Sequence, residues 1–170
     1  MDYIKFNTKT RQANYRINVD WNYLEGTIES YQNKCLCPLN INPEFQRGHV
    51  WTEQQQIDYV EFKISGGSGS NEIQFNCPGW MNDFRGPFVL VDGKQRLNAV
   101  LRFLRNEIKV FDYFRNEIEG RIPSYCEFIF HVNNLSKEVD VLKWYLEMNS
   151  GGTPHTQNEL NRVKDMIEHL

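Results

Sequence analysis

Phe88-Val89-Leu90-Val91-Asp92-Gly93-Lys94-Gln95-Arg96-Leu97-Asn98-Ala99-Val100-Leu101-Arg102-Phe103-Leu104 is the stretch whose reading decides the fold. Its opening run, Phe88 to Val91, is uniformly apolar, as in a strand buried on both faces. Beyond Gly93, the apolar residues Leu97, Val100, Leu101 and Leu104 fall on one face of a helix, the strongest helical signature in the chain. A buried strand thus runs straight into an amphipathic helix. The first backbone N–H groups of such a helix have no acceptor within it and point at one spot, where the helix dipole adds about half a positive charge. Gly93 has no Cβ to block close approach, and Lys94 and Arg96 bring cationic donors, so the turn suits a phosphate or a similar anion. Asp92 reads either as a helix cap or as a carboxylate that helps hold a divalent metal beside the phosphate. The plain alternative for the whole turn is an ordinary capped helix with solvated Lys94 and Arg96.

Outward from this turn, strand and helix patterns alternate without a regular βαβ series, which predicts a small mixed α/β (α+β) sheet with packed helices. Residues 15–19 alternate as a strand and stop at Asp20, an N-cap for a helix carrying Trp21, Leu24, Ile28 and Tyr31. Residues 39–41 read as a short strand ended by Pro43. Thr52 with Gln55 forms a capping-box pattern, opening a helix whose buried face is expected at Ile57, Val60 and Ile64 and whose end falls at Gly66-Gly67. Residues 71–86 show no clear period, with Ile73, Phe75 and Trp80 expected to pack over the core. Residues 108–111 and 128–132 read as two further strands. A helix over about 136–148 is expected to bury Val139, Leu142 and Leu146. The last helix opens on Thr156, with Glu159 at capping-box spacing, and carries Leu160, Val163, Ile167 and Leu170.

A chain of 170 residues, 40% hydrophobic and 14% aromatic, suits one domain over 1–170 with a real core. The net charge of -3 argues against a generally basic nucleic-acid coat, although arginines gather at 85, 96, 102 and 105. The polar N-terminus lacks the apolar core of a signal peptide, and no apolar run approaches the roughly 18–20 residues of a spanning helix. The expectation is a soluble cytoplasmic protein with no membrane association. Cysteines 35, 37, 77 and 126 lack zinc spacing and are expected as reduced, buried or half-buried thiols.

Two further segments can carry chemistry. In Phe45-Gln46-Arg47-Gly48-His49-Val50-Trp51, Arg47 can clamp a phosphate and Gln46 can orient a ligand. The structural alternative is a loop with Trp51 in the core and Arg47 paired to an acid. In Glu147-Met148-Asn149-Ser150-Gly151-Gly152-Thr153, the exposed amides and the Asn149 side chain either line a pocket or form a simple C-cap and turn. No Ser/His/Asp grouping, Walker-type loop or zinc pattern is present. His131, His155 and His169 read as unspecialised.

Taken in order, these segments resemble a known family. Phe45-Gln46-Arg47 with Val50-Trp51 looks like its first motif, and Asp92-Gly93-Lys94-Gln95-Arg96-Leu97 looks like its Asp-Gly-Gln-Gln-Arg-Leu signature. Asn149-Ser150-Gly151-Gly152-Thr153-Pro154, with Glu159-Leu160 behind it, looks like its third. The family is the ParB/sulfiredoxin-like domain at the N-terminal end of GmrSD-type modification-dependent restriction enzymes and of phage-defence proteins such as SspE. The resemblance runs from about residue 39 to 160. It implies a ParB-like fold and nucleotide binding and hydrolysis at the Asp-Gly motif, coupled to DNA cleavage. Carried over by position, Asp92, Gly93, Gln95 and Arg96 are the motif's functional residues, with Gln46, Arg47 and Asn149 facing them.

Lys94 departs from the family pattern, replacing the first of two glutamines and adding charge at the phosphate. The HNH-type nuclease region of the longer enzymes has no counterpart in these 170 residues, which speaks against a complete restriction activity; a separate nuclease subunit or defence protein stands among the candidate partners, as does DNA. The leading expectation is a Mg²⁺-dependent domain binding a nucleoside triphosphate or other nucleotide. In it Arg96, Arg47 and Lys94 hold phosphates, Asn149 and Gly152 line the pocket, Asp92 binds metal or polarises water, and Gln95 orients that water. The alternatives are a non-catalytic regulator that binds nucleotide or nucleic acid, and a Mg²⁺-dependent nuclease that nicks DNA.

Overall fold

In the computed structural model, which describes residues 15–33, 36–46, 51–149 and 157–170, the apolar run at the centre of the sequence is strand β4 (Phe88–Asp92). It is buried on both sides: Phe88 and Leu90 join one apolar cluster, and Val91 joins another. The other strands are β1 (Tyr15–Asp20), β2 (Leu39–Asn40), β3 (Glu72–Asn76) and β5 (Glu127–Asn133). The helices are α1 (Trp21–Asn33), α2 (Glu53–Ile64), α3 (Lys94–Leu104), α4 (Glu138–Asn149) and α5 (Gln157–Glu168). One sheet of order β1-β5-β3-β4-β2 results. It is mixed, with β1 antiparallel to β5, β5 parallel to β3, β3 antiparallel to β4 and β4 parallel to β2.

The expected mixed α/β architecture is therefore present, with a layer on each face of the sheet. The main cluster joins α1 (Leu24, Ile28), α2 (Tyr59, Val60) and α3 (Leu97, Val100, Leu101) to Ile73, Phe75, Phe88, Leu90, Phe128 and Phe130 of the sheet. A smaller cluster on the other face joins Phe45, Val91, Val141, Leu142, Trp144, Tyr145 and Val163. Several ends match their sequence signals. Asp20 Oδ1 accepts the Asn22 backbone N–H (2.8 Å), as an N-cap should. Thr52 and Gln55 form a complete capping box on α2, and Gly66 follows its last turn at φ +90°.

Five expectations are corrected. Residues 72–76, read as aperiodic, form β3 in the interior of the sheet: Ile73 and Phe75 point into the main core while Gln74 and Asn76 alternate onto the other face. Residues 108–111 add no strand to the sheet; a tight turn with one bridge, Val110 to Tyr113, stands there instead. The buried side of α2 is Gln56, Tyr59, Val60 and Lys63, with Ile57 and Ile64 only half-buried. Polar burial is tolerated there because Arg102 Nη1 donates to Gln56 Oε1 (2.7 Å), and Lys63 Nζ donates to the carbonyls of Gly67 (2.8 Å) and Gly69 (2.9 Å). In α4, Val141, Leu142, Trp144 and Tyr145 are buried, leaving Val139 and Leu146 half-buried, because the large aromatics turn that face to the sheet. At the end of α5, Leu170 is exposed, past the last turn of the helix.

Cys37 is half-buried, and Cys77 and Cys126 are buried; Cys35 lies outside the described residues. The expected cap at Thr156 also lies outside them. Among the described residues no helix is long and apolar enough to cross a membrane.

Candidate functional site

The turn between β4 and α3 is set by Gly93, the N-cap residue, at φ +95° and ψ 11°. A Cβ there would stand 2.5 Å from Ile73 Cδ1 and 3.2 Å from the Glu72 carbonyl, so both conformation and space require glycine. The first bond of the helical ladder runs from the Leu97 N–H to the Gly93 carbonyl (2.9 Å), and no side chain at the N-cap position covers the amides before it. The backbone amides of 94–96 thus precede the ladder at the positive end of α3, beside the Lys94 ammonium. Partial burial lowers the pKa of that ammonium from its ordinary value.

Asp92 does not cap the helix. Its Oδ2 accepts from Arg96 Nη2 (3.0 Å), and the same nitrogen donates to the Glu72 carbonyl (2.9 Å). This clamp ties the turn to the start of β3. Arg96 is 24% exposed along its side chain, and its Nε is buried with no hydrogen-bond partner. Gln95 also holds the scaffold, because its Oε1 accepts the Trp51 backbone N–H (3.3 Å). Gln46 Nε2 donates to the Leu90 carbonyl (2.7 Å), just past the last β4 residue paired with β2. There it fills the ladder position that the short β2 leaves open.

The first and second motif segments are thus brought together through Gln46–Leu90 and Gln95–Trp51. Beside the first segment, Phe45 meets Tyr145 of α4 edge-on, with ring centroids 5.2 Å apart, while residues 150–154 of the third segment lie outside the described residues. Arg162 of α5 donates to the Glu44 carbonyl (2.9 Å). Asn149, the last residue of α4, donates to the Tyr145 carbonyl (2.7 Å), one turn back in the same helix. Arg47, His49 and Gly152 lie outside the described residues.

The gathered arginines do not form one basic face. Arg85 pairs with Asp83, Arg96 with Asp92, Arg102 with Glu53 and Glu107, and Arg105 with Glu25. For magnesium, Asp92 offers a carboxylate 40% exposed along its side chain. Mg²⁺ commonly binds through one carboxylate plus phosphate oxygens and water, so the donor set fits an ion that arrives with its phosphates. Among the described residues no group of three or more His, Cys, Asp or Glu is placed to cage a metal by itself.

Sequence reasoning passed over two residues beside this turn. A register shift in the β3–β4 pairing sets Gln74 opposite Asp92, and on its other side Gln74 is opposite His131 of β5. Their signal was the alternation Glu72-Ile73-Gln74-Phe75, which places Gln74 on the face away from the main core. No family model, curated protein or solved structure matches this chain.

Proposed function

We propose that this protein is a ParB/sulfiredoxin-like domain that binds a nucleoside triphosphate at the Asp92–Gly93–Lys94 turn, with Mg²⁺ carried on the phosphates. It would hydrolyse that nucleotide in cytoplasmic DNA processing, restriction or phage defence, alongside a separate nuclease subunit or defence protein. The observation that carries the reading is the left-handed glycine turn at the end of a doubly buried strand, opening α3 with no side-chain cap. The half-buried Lys94 ammonium supports it, as does the convergence of the Gln46 segment on the same end of β4. Lys94 would hold a phosphate as a point charge, Asp92 would carry the magnesium, and Arg96 would fix the turn while presenting the rest of its guanidinium.

Saturating nucleotide at about a hundredfold its Kd stabilises a native state by roughly 2.7 kcal/mol, a rise in Tm of about 5–10 °C for a chain of this size. Lys94→Ala is expected to weaken binding of a fluorescent nucleoside triphosphate by about tenfold to a hundredfold with the fold retained. Equal binding by folded wild type and variant, or no binding by wild type with or without Mg²⁺, overturns the reading.

One observation favours a second reading, binding without turnover. The groups expected to activate water are already engaged, Asp92 with Arg96 and Gln95 with Trp51. Tight nucleotide binding with no phosphate released over hours would select that regulator over the hydrolase. A DNA-nicking nuclease is the weakest of the three, since the arginines that would line its groove are each paired with an acid. A supercoiled plasmid incubated with Mg²⁺ should stay intact.

A further inference from the structure

Gln74 and His131 are direct cross-strand neighbours, and Asp92 is the neighbour of Gln74 on its far side. Gln74 and His131 are regularly paired and project from the same face; with Asp92, set opposite Gln74 by the register shift, they line up in one row across β4, β3 and β5. Adjacent strands lie about 4.8 Å apart, so the row runs roughly 10 Å from the phosphate turn.

Two atoms in this row are anomalous. Gln74 Oε1 and His131 Nε2 are both buried and have no hydrogen-bond partner. The nearby Glu72 Oε1 stands 3.7 Å from His131 Nε2, beyond hydrogen-bond reach. Buried polar side-chain atoms nearly always have partners, and neighbouring exceptions on one face call for a cause. Neither side chain is sealed in: His131 is 15% exposed, Gln74 is half-buried, and Glu72 at the rim is 61% exposed.

The chemistry of the row differs from that of the turn. The Gln74 oxygen accepts only, the Glu72 carboxylate accepts only when ionised, and the imidazole nitrogen accepts or donates according to its tautomer. Such a set repels phosphate and calls for O–H or N–H donors. The turn offers the opposite, a cation and helix amides. The row and the turn also share Glu72, whose carbonyl accepts from Arg96 and whose carboxylate faces His131.

We infer that Gln74, His131 and Glu72 form the nucleoside subsite of the nucleotide site proposed above, on which this inference rests. The ribose hydroxyls or the amino group of a base supply the missing donors, and the triphosphate reaches back to Asp92–Gly93–Lys94. Specificity for a nucleoside triphosphate over bare polyphosphate then comes from the row, and affinity for phosphate comes from the turn.

The test compares ATP, GTP and inorganic tripolyphosphate by calorimetry in wild type, Gln74→Met and His131→Leu. Each variant keeps the size of its side chain and removes the orphaned atom, so the ligand-free Tm should hold or rise. Wild type should bind at least one nucleoside triphosphate more tightly than tripolyphosphate. Each variant should lower that preference by about tenfold, the worth of one hydrogen bond in a polar site. If wild type binds these ligands and both folded variants keep the full preference, the subsite is overturned and the phosphate turn stands. If wild type binds none of the three, both are overturned.

Discussion

Gly93 meets two constraints at one position, a left-handed backbone and an Ile73 methyl 2.5 Å from where a Cβ would stand. Left-handed geometry costs an alanine about 1–2 kcal/mol, and overpacking about 1–3 more. Gly93→Ala is therefore expected to lower stability by about 2–4 kcal/mol, read as a drop in the denaturant midpoint at unchanged slope. A neutral result would mean that the turn relaxes and that its shape is not imposed by β3. This residue was legible in the sequence because its causes are local: an apolar strand, a glycine and a helical period follow one another. The contacts of Arg96 with the Glu72 carbonyl and of Gln95 with Trp51 were not legible, because each reaches a residue that the sequence pattern does not pair with it, whereas Asp92 and Arg96 stand at i, i+4. Gln74 was hidden for a related reason. A polar residue inside a strand looks solvated until its neighbours on both sides are known.

Among the elements, β4 and α3 announce themselves, whereas β3 does not. Strand β3 is short, and three of its five side chains are polar because they face away from the main core, where Asn76 bonds Leu135 in both directions. The opposite error at 108–111 arose because Ile108 and Val110 are apolar and buried, yet the chain reverses at Phe111 and Asp112, at φ 51° and 65°. Burial does not require a strand. The two layers also differ in strength. Helices α1, α2 and α3 share the main core, while α4 and α5 rest on a smaller cluster centred on Val91 and Phe45. Free energies of local opening follow buried apolar contact, so amides of α4 and α5 should exchange with deuterium well before those of β3 and β5. Equal protection in both layers would show that the chain opens only as a whole.

For the whole molecule, alkaline pH provides a probe of the core. Burial pushes the Cys126 thiol up to about 11 from an ordinary value of 9.0, with Lys63 beside it opposing the shift and Asp20 adding to it. The folded state thus holds this proton where the unfolded chain releases it. The associated stability is complete below pH 9 and is lost as pH rises to about 11, by about 1–2 kcal/mol. Burial lowers the Lys63 ammonium, which acts in the opposite direction, so the contribution of the thiol is read by difference. Cys126→Ala should lose less stability than wild type between pH 8.5 and 11, measured by urea unfolding. An identical loss in both proteins would place the alkaline sensitivity elsewhere.

By itself the sequence determined most of the periodic elements, the caps at Asp20 and Thr52, the mixed α/β class and the glycine turn that opens α3. Each of these is set by neighbours within one strand or one helical turn. Only the tertiary structure decided the strand order, the pairing of Arg102 with Glu53 and of Arg105 with Glu25, and the buried polar side of α2. It alone placed Gln74 and His131 in line with Asp92. These depend on residues far apart in the chain meeting across a sheet, where a register shift in the β3–β4 pairing chooses which side chain faces which.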